Sequence, residues 1–335
     1  MNRILSKHRR EFVLLLVTVA SFGCSRESHP SSFGIVRFAS TPQPLATAAL
    51  IASSKGLWPS AAGSHVDVTE FLSGRLILDA VLGGSADIGM AAETPLALAA
   101  AAGRPLVILA TLTQTNQCVW ILGRTDRGVT SPQGLRGRSV AIYEDTLSEY
   151  YMDQTLRGVG MNRSDLKQIN TLSPPQMINA LAQDHVDAAF IWQPTVAIVK
   201  QQMGAAVTIF PGPEPSTGTF NLFTTREYLQ KHPDGALAIL RGLKSATTFV
   251  NSNREASIGL IAPKLGLDPA IVRTFFDEFT YRLSLDNKLL DVLVQQAQWL
   301  SSRGQMQGGK DAAFFRGCVD PEPLRQISPD AVTLR

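Results

Sequence analysis

The chain is expected to be an α/β protein of two similarly built lobes, each a mostly parallel sheet flanked by helices, with two crossovers between them. Three observations lead there. Short apolar strands alternate with amphipathic helices, the pattern that forces parallel pairing and helices on the sheet faces. The 335 residues exceed one typical domain. And a stretch from Asp79, DAVLGGSADIGMAAE, reappears at a 100-residue offset as NALAQDHVDAAFIWQ, with Ala80 over Ala180 and Asp87 over Asp187. A repeat of that length is a duplicated half, not a solenoid period.

The N-terminus reads as an export signal. Arg3, Lys7, Arg9 and Arg10 precede FVLLLVTVASFG and then Cys24, a basic region followed by an apolar run too short to span a bilayer comfortably. Gly23 before Cys24 is similar to the cleavage box of bacterial lipoproteins, in which the cysteine is lipidated, although Ser21 and Phe22 depart from that box. Residues 1–23 are therefore assigned as a signal peptide of lipoprotein type, with plain secretion or an uncleaved anchor as alternatives. Residues 24–33 read as a polar tether. Removing residues 1–23 takes four basic residues and one acid from totals of 31 and 28, leaving 27 of each sign. No basic stripe remains to argue for nucleic acid. Cys118 and Cys318 then stand alone, in a compartment that permits disulfides, as two free thiols or as a bridge.

The elements follow in order. GIVRFAS is a strand; Pro44 opens a helix, PLATAALIASSKG, that Gly56 ends. HVDVTEF alternates as a strand, and GRLILDAVLGGSADIGMAA supplies a helix, a turn and a third strand. The helix PLALAAAAG leads to the strand PLVILATL. The same grammar restarts with SVAIY, a helix from about Thr146 to Gly158, the strand DLKQIN, and SPPQMINALAQDHVDAAFIW with Ser173 as N-cap and Pro174 at the first helical position. PGPEPSTGT marks a loop before the return. From about Phe223 the chain reads as mostly helical, PAIVRTFFDEFTYRL included, and closes the first lobe. The lobes are expected at 34–116 with 223–335, and at 117–222.

Three further stretches carry a resemblance: FLSGRLILDAVLGGSADIGMAAETPLALAAAAGRPLVILA, LRGRSVAIYEDTLSEYYM and ALAQDHVDAAFIWQP. In this order and spacing they resemble the periplasmic solute-binding proteins of the nitrate, sulfonate, taurine and thiamine-precursor importer family, over about Gly34 to Gln305. The resemblance implies a periplasmic-binding-protein clamshell of the second type, a small molecule in the cleft, and an ABC permease in the inner membrane as partner. It also implies a monomer in the periplasm, membrane-anchored if Cys24 is lipidated. A sensory lipoprotein and a thiamine-pyrimidine-precursor protein or enzyme are the alternatives. The chain carries no G-x-S-x-G, H-E-x-x-H, P-loop or paired-cysteine spacing, so no catalytic residue, cofactor or metal is assigned.

Ligands of parallel α/β sheets lie beyond the carboxyl ends of the strands. Those ends supply the candidate ligand-binding residues Ser40, Thr41, Gln43, Glu93, Thr94, Asp145, Thr146, Ser148, Trp192 and Gln193, with Asn116 and Asn221 near the crossovers. Thr146 and Ser148 open a helix, where hydroxyls and backbone N–H groups suit an anionic head; the competing reading is a capping box, Thr146-x-x-Glu149. Glu144 and Asp145 crowd that helix start. Unless a cation intervenes, they disfavour a bare oxyanion and favour a guest with an amine facing Asp145 or Glu93, provided the two acids do not simply point to solvent. Trp192 would stack on a ligand or fill the core. Gln193 is expected to face Glu93 across the cleft, and Asp87 and Asp187 to cap turns.

Overall fold

A computed structural model describes residues 33–61, 63–212 and 217–334. The assigned signal peptide, Cys24 and the tether up to Ser32 lie outside the described residues.

The first lobe starts with β1 (Ile35–Ser40), α1 (Thr47–Lys55), β2 (His65–Glu70), α2 (Gly74–Leu82), β3 (Ile88–Ala92), α3 (Glu93–Ala101) and β4 (Leu106–Thr115). The chain then crosses to β5 (Trp120–Arg124), β6 (Ser139–Ile142), α4 (Leu147–Gly158), β7 (Gln168–Thr171), α5 (Pro174–Ala182), β8 (Ala188–Ile191), α6 (Thr195–Met203) and β9 (Val207–Pro211). It returns through β10 (Gly218–Thr225), α7 (Arg226–Lys231), α8 (Pro233–Ser252), α9 (Arg254–Leu265), α10 (Pro269–Phe275), β11 (Phe279–Ser284) and α11 (Asn287–Ser302), and ends on two short helices. One sheet runs β11-β4-β10-β3-β1-β2 and the other β7-β6-β8-β5-β9. The two are separate, each with its own apolar core.

Both sheets are mixed. In the first, β1 pairs parallel with β2 and β3, while β10 and β11 run antiparallel to their neighbours. In the second, β6 pairs parallel with β7 and β8, and β5 is antiparallel to β8 and β9. The parallel triplet is what was duplicated. Asp87 accepts from the Arg37 N–H at 2.8 Å and Asp187 from the Ser139 N–H at 2.8 Å. Each aspartate thus fastens the strand it precedes to the central strand of its own triplet.

Two expectations change. Residues 218–225 pair with β3 and β4, so 218–222 belong with the first sheet and the second crossover precedes Gly218. The alternation in GTFNLFTT is hidden because this strand is buried on both faces. And PAIVRTFFDEFTYRL is not one helix. It stops at Phe275, and FTYRLS forms β11 with every second residue buried along most of its length, a period of two that the shared aromatic content masks.

Close packing fixes α2 on the sheet. A Cβ on Gly89 would lie 2.3 Å from Ile77 Cγ2, and one on Gly74 would lie 2.9 Å from Ala91 Cα. The helix therefore rests directly on β3, with its first turn against the strand's carboxyl end. Cys118 is buried in the second lobe's core and Cys318 is half-buried; both are free thiols, so the bridge does not form.

Candidate functional site

The carboxyl ends of β1, β2 and β3 in the first sheet and of β6 and β8 in the second meet around one cavity. Gln43 and Leu45 follow β1; Ser73, Gly74 and Arg75 follow β2; Ala92 ends β3 and Pro95 follows it. The second lobe brings Thr146 and Leu147 after β6 and Trp192 after β8, and Cys118 and Phe220 close the side near the crossovers. The void between these walls is about 30 Å³, room for roughly two water-sized spheres.

Polar groups gather where α2 and α4 begin. Ser73 is the N-cap of α2 and accepts from the Leu76 N–H. Arg75 stands in the first turn, against the helix dipole. It reaches across to the second lobe: its Nη2 is 3.4 Å from Asp145 Oδ2 and its Nη1 donates to the Glu144 carbonyl at 3.1 Å. Ser73 Oγ lies 3.4 Å from the Tyr143 hydroxyl, a second contact between lobes. Arg75 is thus the cation that neutralises Asp145, whose side chain is 30% exposed, while Glu144 faces solvent. The electrostatic case for an amine at Asp145 loses its premise.

At the start of α4 the hydroxyls are committed within the chain. Thr146 Oγ1 donates to the Tyr143 carbonyl at 2.6 Å and accepts from the Ser148 N–H at 3.2 Å. Ser148 Oγ accepts from the Tyr143 N–H at 2.9 Å and donates to the Phe190 carbonyl at 2.6 Å, tying β6, α4 and β8 together. The reciprocal box is displaced by one residue. Glu149 Oε2 accepts from the Asp145 N–H at 3.0 Å because Asp145, at φ 57°, adopts the left-handed conformation that aspartate tolerates in turns.

Of the twelve sequence candidates, Gln43, Thr146 and Trp192 line the cavity. Asp145 stands at its edge through Arg75. Ser148 is fully buried behind the wall. Thr94 donates to Gln296 at 2.9 Å inside the first lobe, and Asn221 bonds Thr111 and Thr219 within the first sheet. Asn116 accepts from Thr217 at 3.5 Å at a crossover. Gln193 does not face Glu93: it accepts from the Ala197 N–H and lines a separate open groove of about 470 Å³ with Trp120 and Glu278. The Glu278 carboxyl is pushed up to about 7 by burial.

Glu93 is 1% exposed, directly behind Ala92 and Pro95. Its Oε2 accepts from the Thr219 N–H at 3.0 Å and from the Thr219 hydroxyl at 3.1 Å, while Oε1 has no partner in the protein. Burial raises its pKa to about 7, and the donors only partly offset this. Burial, with help from the Glu93 charge, also raises the Cys118 thiol well above its ordinary range. Ser40 Oγ and Thr41 Oγ1, at the end of neighbouring β1, are likewise buried without a protein partner.

Arg75, Ser73, Leu45, Phe220, Pro95 and Leu147 were missed from sequence. Arg75 carried a signal: a cation in the first turn of a helix opposes the dipole and asks for a reason. The apolar liners carried none, since a core leucine and a cavity leucine read alike.

Two sheets with facing carboxyl ends, and a cavity walled by both, give this protein the two-lobed α/β architecture of the periplasmic-binding-protein fold. Its fold matches an alkanesulfonate-binding protein from Xanthomonas axonopodis pv. citri, solved bound to MOPS, at a TM-score of 0.75 and 20% identity over 86% of this chain and 98% of that one. The chain belongs to the NMT1/THI5 like family, whose model matches residues 43–257. Among relatives, a protein of Escherichia coli (strain K12) named as aliphatic sulfonates-binding is 27% identical, over 78% of this chain and 80% of its own length. The taurine-binding periplasmic protein of the same organism is 22% identical over 79% and 86%. Among the described residues no group of three or more His, Cys, Asp and Glu could hold a metal ion, and no helix is long and apolar enough to cross a membrane.

Proposed function

We propose that this protein is the extracytoplasmic receptor of an ABC importer, lipid-anchored through Cys24, and that it captures a small organic anion with an apolar body, of the aliphatic sulfonate class. The observation that carries this is the composition of the cavity. Arg75 and the N-termini of α2 and α4 converge at one part of it, and Leu45, Pro95, Phe220, Leu147 and Trp192 make up much of the rest. Helix N-termini present unpaired N–H groups and partial positive charge to an anion. An anionic head placed there shares the Arg75 guanidinium with Asp145, and an alkyl chain removes apolar wall from water at about 25 cal/mol per Å². The sulfonate- and taurine-binding relatives support the same chemistry.

The reading is tested by thermal shift and titration calorimetry with alkanesulfonates of two to eight carbons, taurine, nitrate and the corresponding primary amines. Alkanesulfonates are expected to raise the melting temperature by mass action, more strongly with chain length until the cavity is filled. Stabilisation by amines alone would overturn it.

A further inference from the structure

Outside the cavity wall, a second set of side chains joins the lobes, and it reaches the binding loop through one residue. Glu149, 1% exposed, is on α4 of the second lobe. One of its oxygens accepts from the Asp145 N–H, the turn that carries the cavity edge. The other bonds two arginines of different origin: Arg163 Nη2 at 2.9 Å, from its own lobe, and Arg303 Nη2 at 2.7 Å, from just beyond α11 of the first lobe. One turn further along α4, Asp153 accepts from Arg163 Nε at 2.7 Å and from the Trp299 indole N–H at 2.8 Å, again from the first lobe. Trp299 packs edge-on against Tyr150 at 5.4 Å, and the Arg303 guanidinium lies 5.0 Å from the Trp299 ring. None of these residues lines the cavity.

We propose that Arg303 and Trp299 are positioning residues for solute binding: by gripping Glu149 and Asp153 from the opposite lobe, they hold the lobes closed and set the Asp145–Thr146 turn against the guest. The inference rests on the solute-receptor reading but not on the sulfonate class. In the parted form Arg303 and Trp299 leave these carboxylates, and Arg163 remains to pair with both. The junction can therefore open without stranding a bare buried charge, which would otherwise be costly. Because the observed dissociation constant scales inversely with the binding-competent population, loss of the grip appears as weaker binding with no change in any group that touches the solute.

The test combines titration calorimetry with 1-butanesulfonate and small-angle X-ray scattering with and without it, on the wild type, R303Q, R303K, W299F and R163Q. R303Q is expected to weaken binding roughly tenfold and W299F roughly three- to tenfold, with a larger radius of gyration at saturation-limited or zero solute. R303K, which keeps the charge, recovers part of both. R163Q touches the same carboxylates from within one lobe, so it lowers the melting temperature while leaving the scattering profile that of the wild type. The proposal is overturned if R303Q and the wild type scatter identically with solute and without it, or if R163Q opens the lobes as far as R303Q does. If the wild type does not bind butanesulfonate, the sulfonate reading fails separately, and the solute-free profiles of wild type, R303Q and R163Q decide the grip.

Discussion

Glu93→Gln isolates the buried carboxyl beside the cavity. In the folded protein this group titrates near 7, against an ordinary value of 4.5, because burial disfavours its charge more than Thr219 stabilises it. Below about pH 4.5 the carboxyl is protonated in both the folded and unfolded chains and contributes no pH dependence. Between 4.5 and 7 the unfolded chain ionises while the folded one holds its proton, so stability falls as pH rises, by about 1.4 kcal/mol per pH unit. Above 7 both are ionised and the loss levels off at roughly 3 kcal/mol. Glutamine does not titrate. Chemical denaturation of the wild type and E93Q from pH 4 to 8.5 should therefore give a stability difference that moves by roughly 3 kcal/mol in favour of the variant across this range. Glu278, whose carboxyl also lies near 7, is present in both proteins and cancels in the difference. The nearby Cys118 thiol and Tyr150 phenol are both raised by burial and stay neutral throughout. Parallel curves would refute the reasoning, as would a difference that moves the other way.

Other outcomes follow from the site and its frame. R75Q removes the guanidinium shared between the cavity and Asp145, and should weaken anion binding tenfold or more in calorimetry, with little effect on the melting temperature, since the pair is partly exposed. S148A leaves the Tyr143 N–H and the Phe190 carbonyl without their shared partner and should cost about 1–3 kcal/mol in denaturant unfolding. G89A places a methyl where Ile77 already sits and should destabilise by about 1–3 kcal/mol. It should also weaken binding, because α2 carries Ser73 and Arg75.

Much of the frame could be read from the chain because its parallel strands are short apolar runs bounded by glycines and caps. The 100-residue repeat identified the duplicated triplet, and Asp87 and Asp187 perform the same task in each copy. What escaped was either buried on both faces, as in β10, or short and aromatic, as in β11, where helix and strand periods are hard to separate. Site residues were harder to read. Strand ends pointed to the right region, and Gln43, Thr146 and Trp192 reached the cavity. But whether a hydroxyl is free or already bonded depends on partners far away in sequence: Ser148 is bound to Phe190, 42 residues on. The charge of Asp145 was visible, while the arginine that answers it sits 70 positions earlier on the other lobe.

The aspartate braces have a consequence for motion. Asp87 and Asp187 each bind strands of one triplet, so every such tie begins and ends on the same side of the cleft. Swinging one half away from the other breaks none of them. The resistance to that swing is left to a few side chains that reach across, Ser73, Arg75, Trp299 and Arg303 among them. Substituting those few would retune how readily the molecule opens, while each half keeps its own scaffold unchanged.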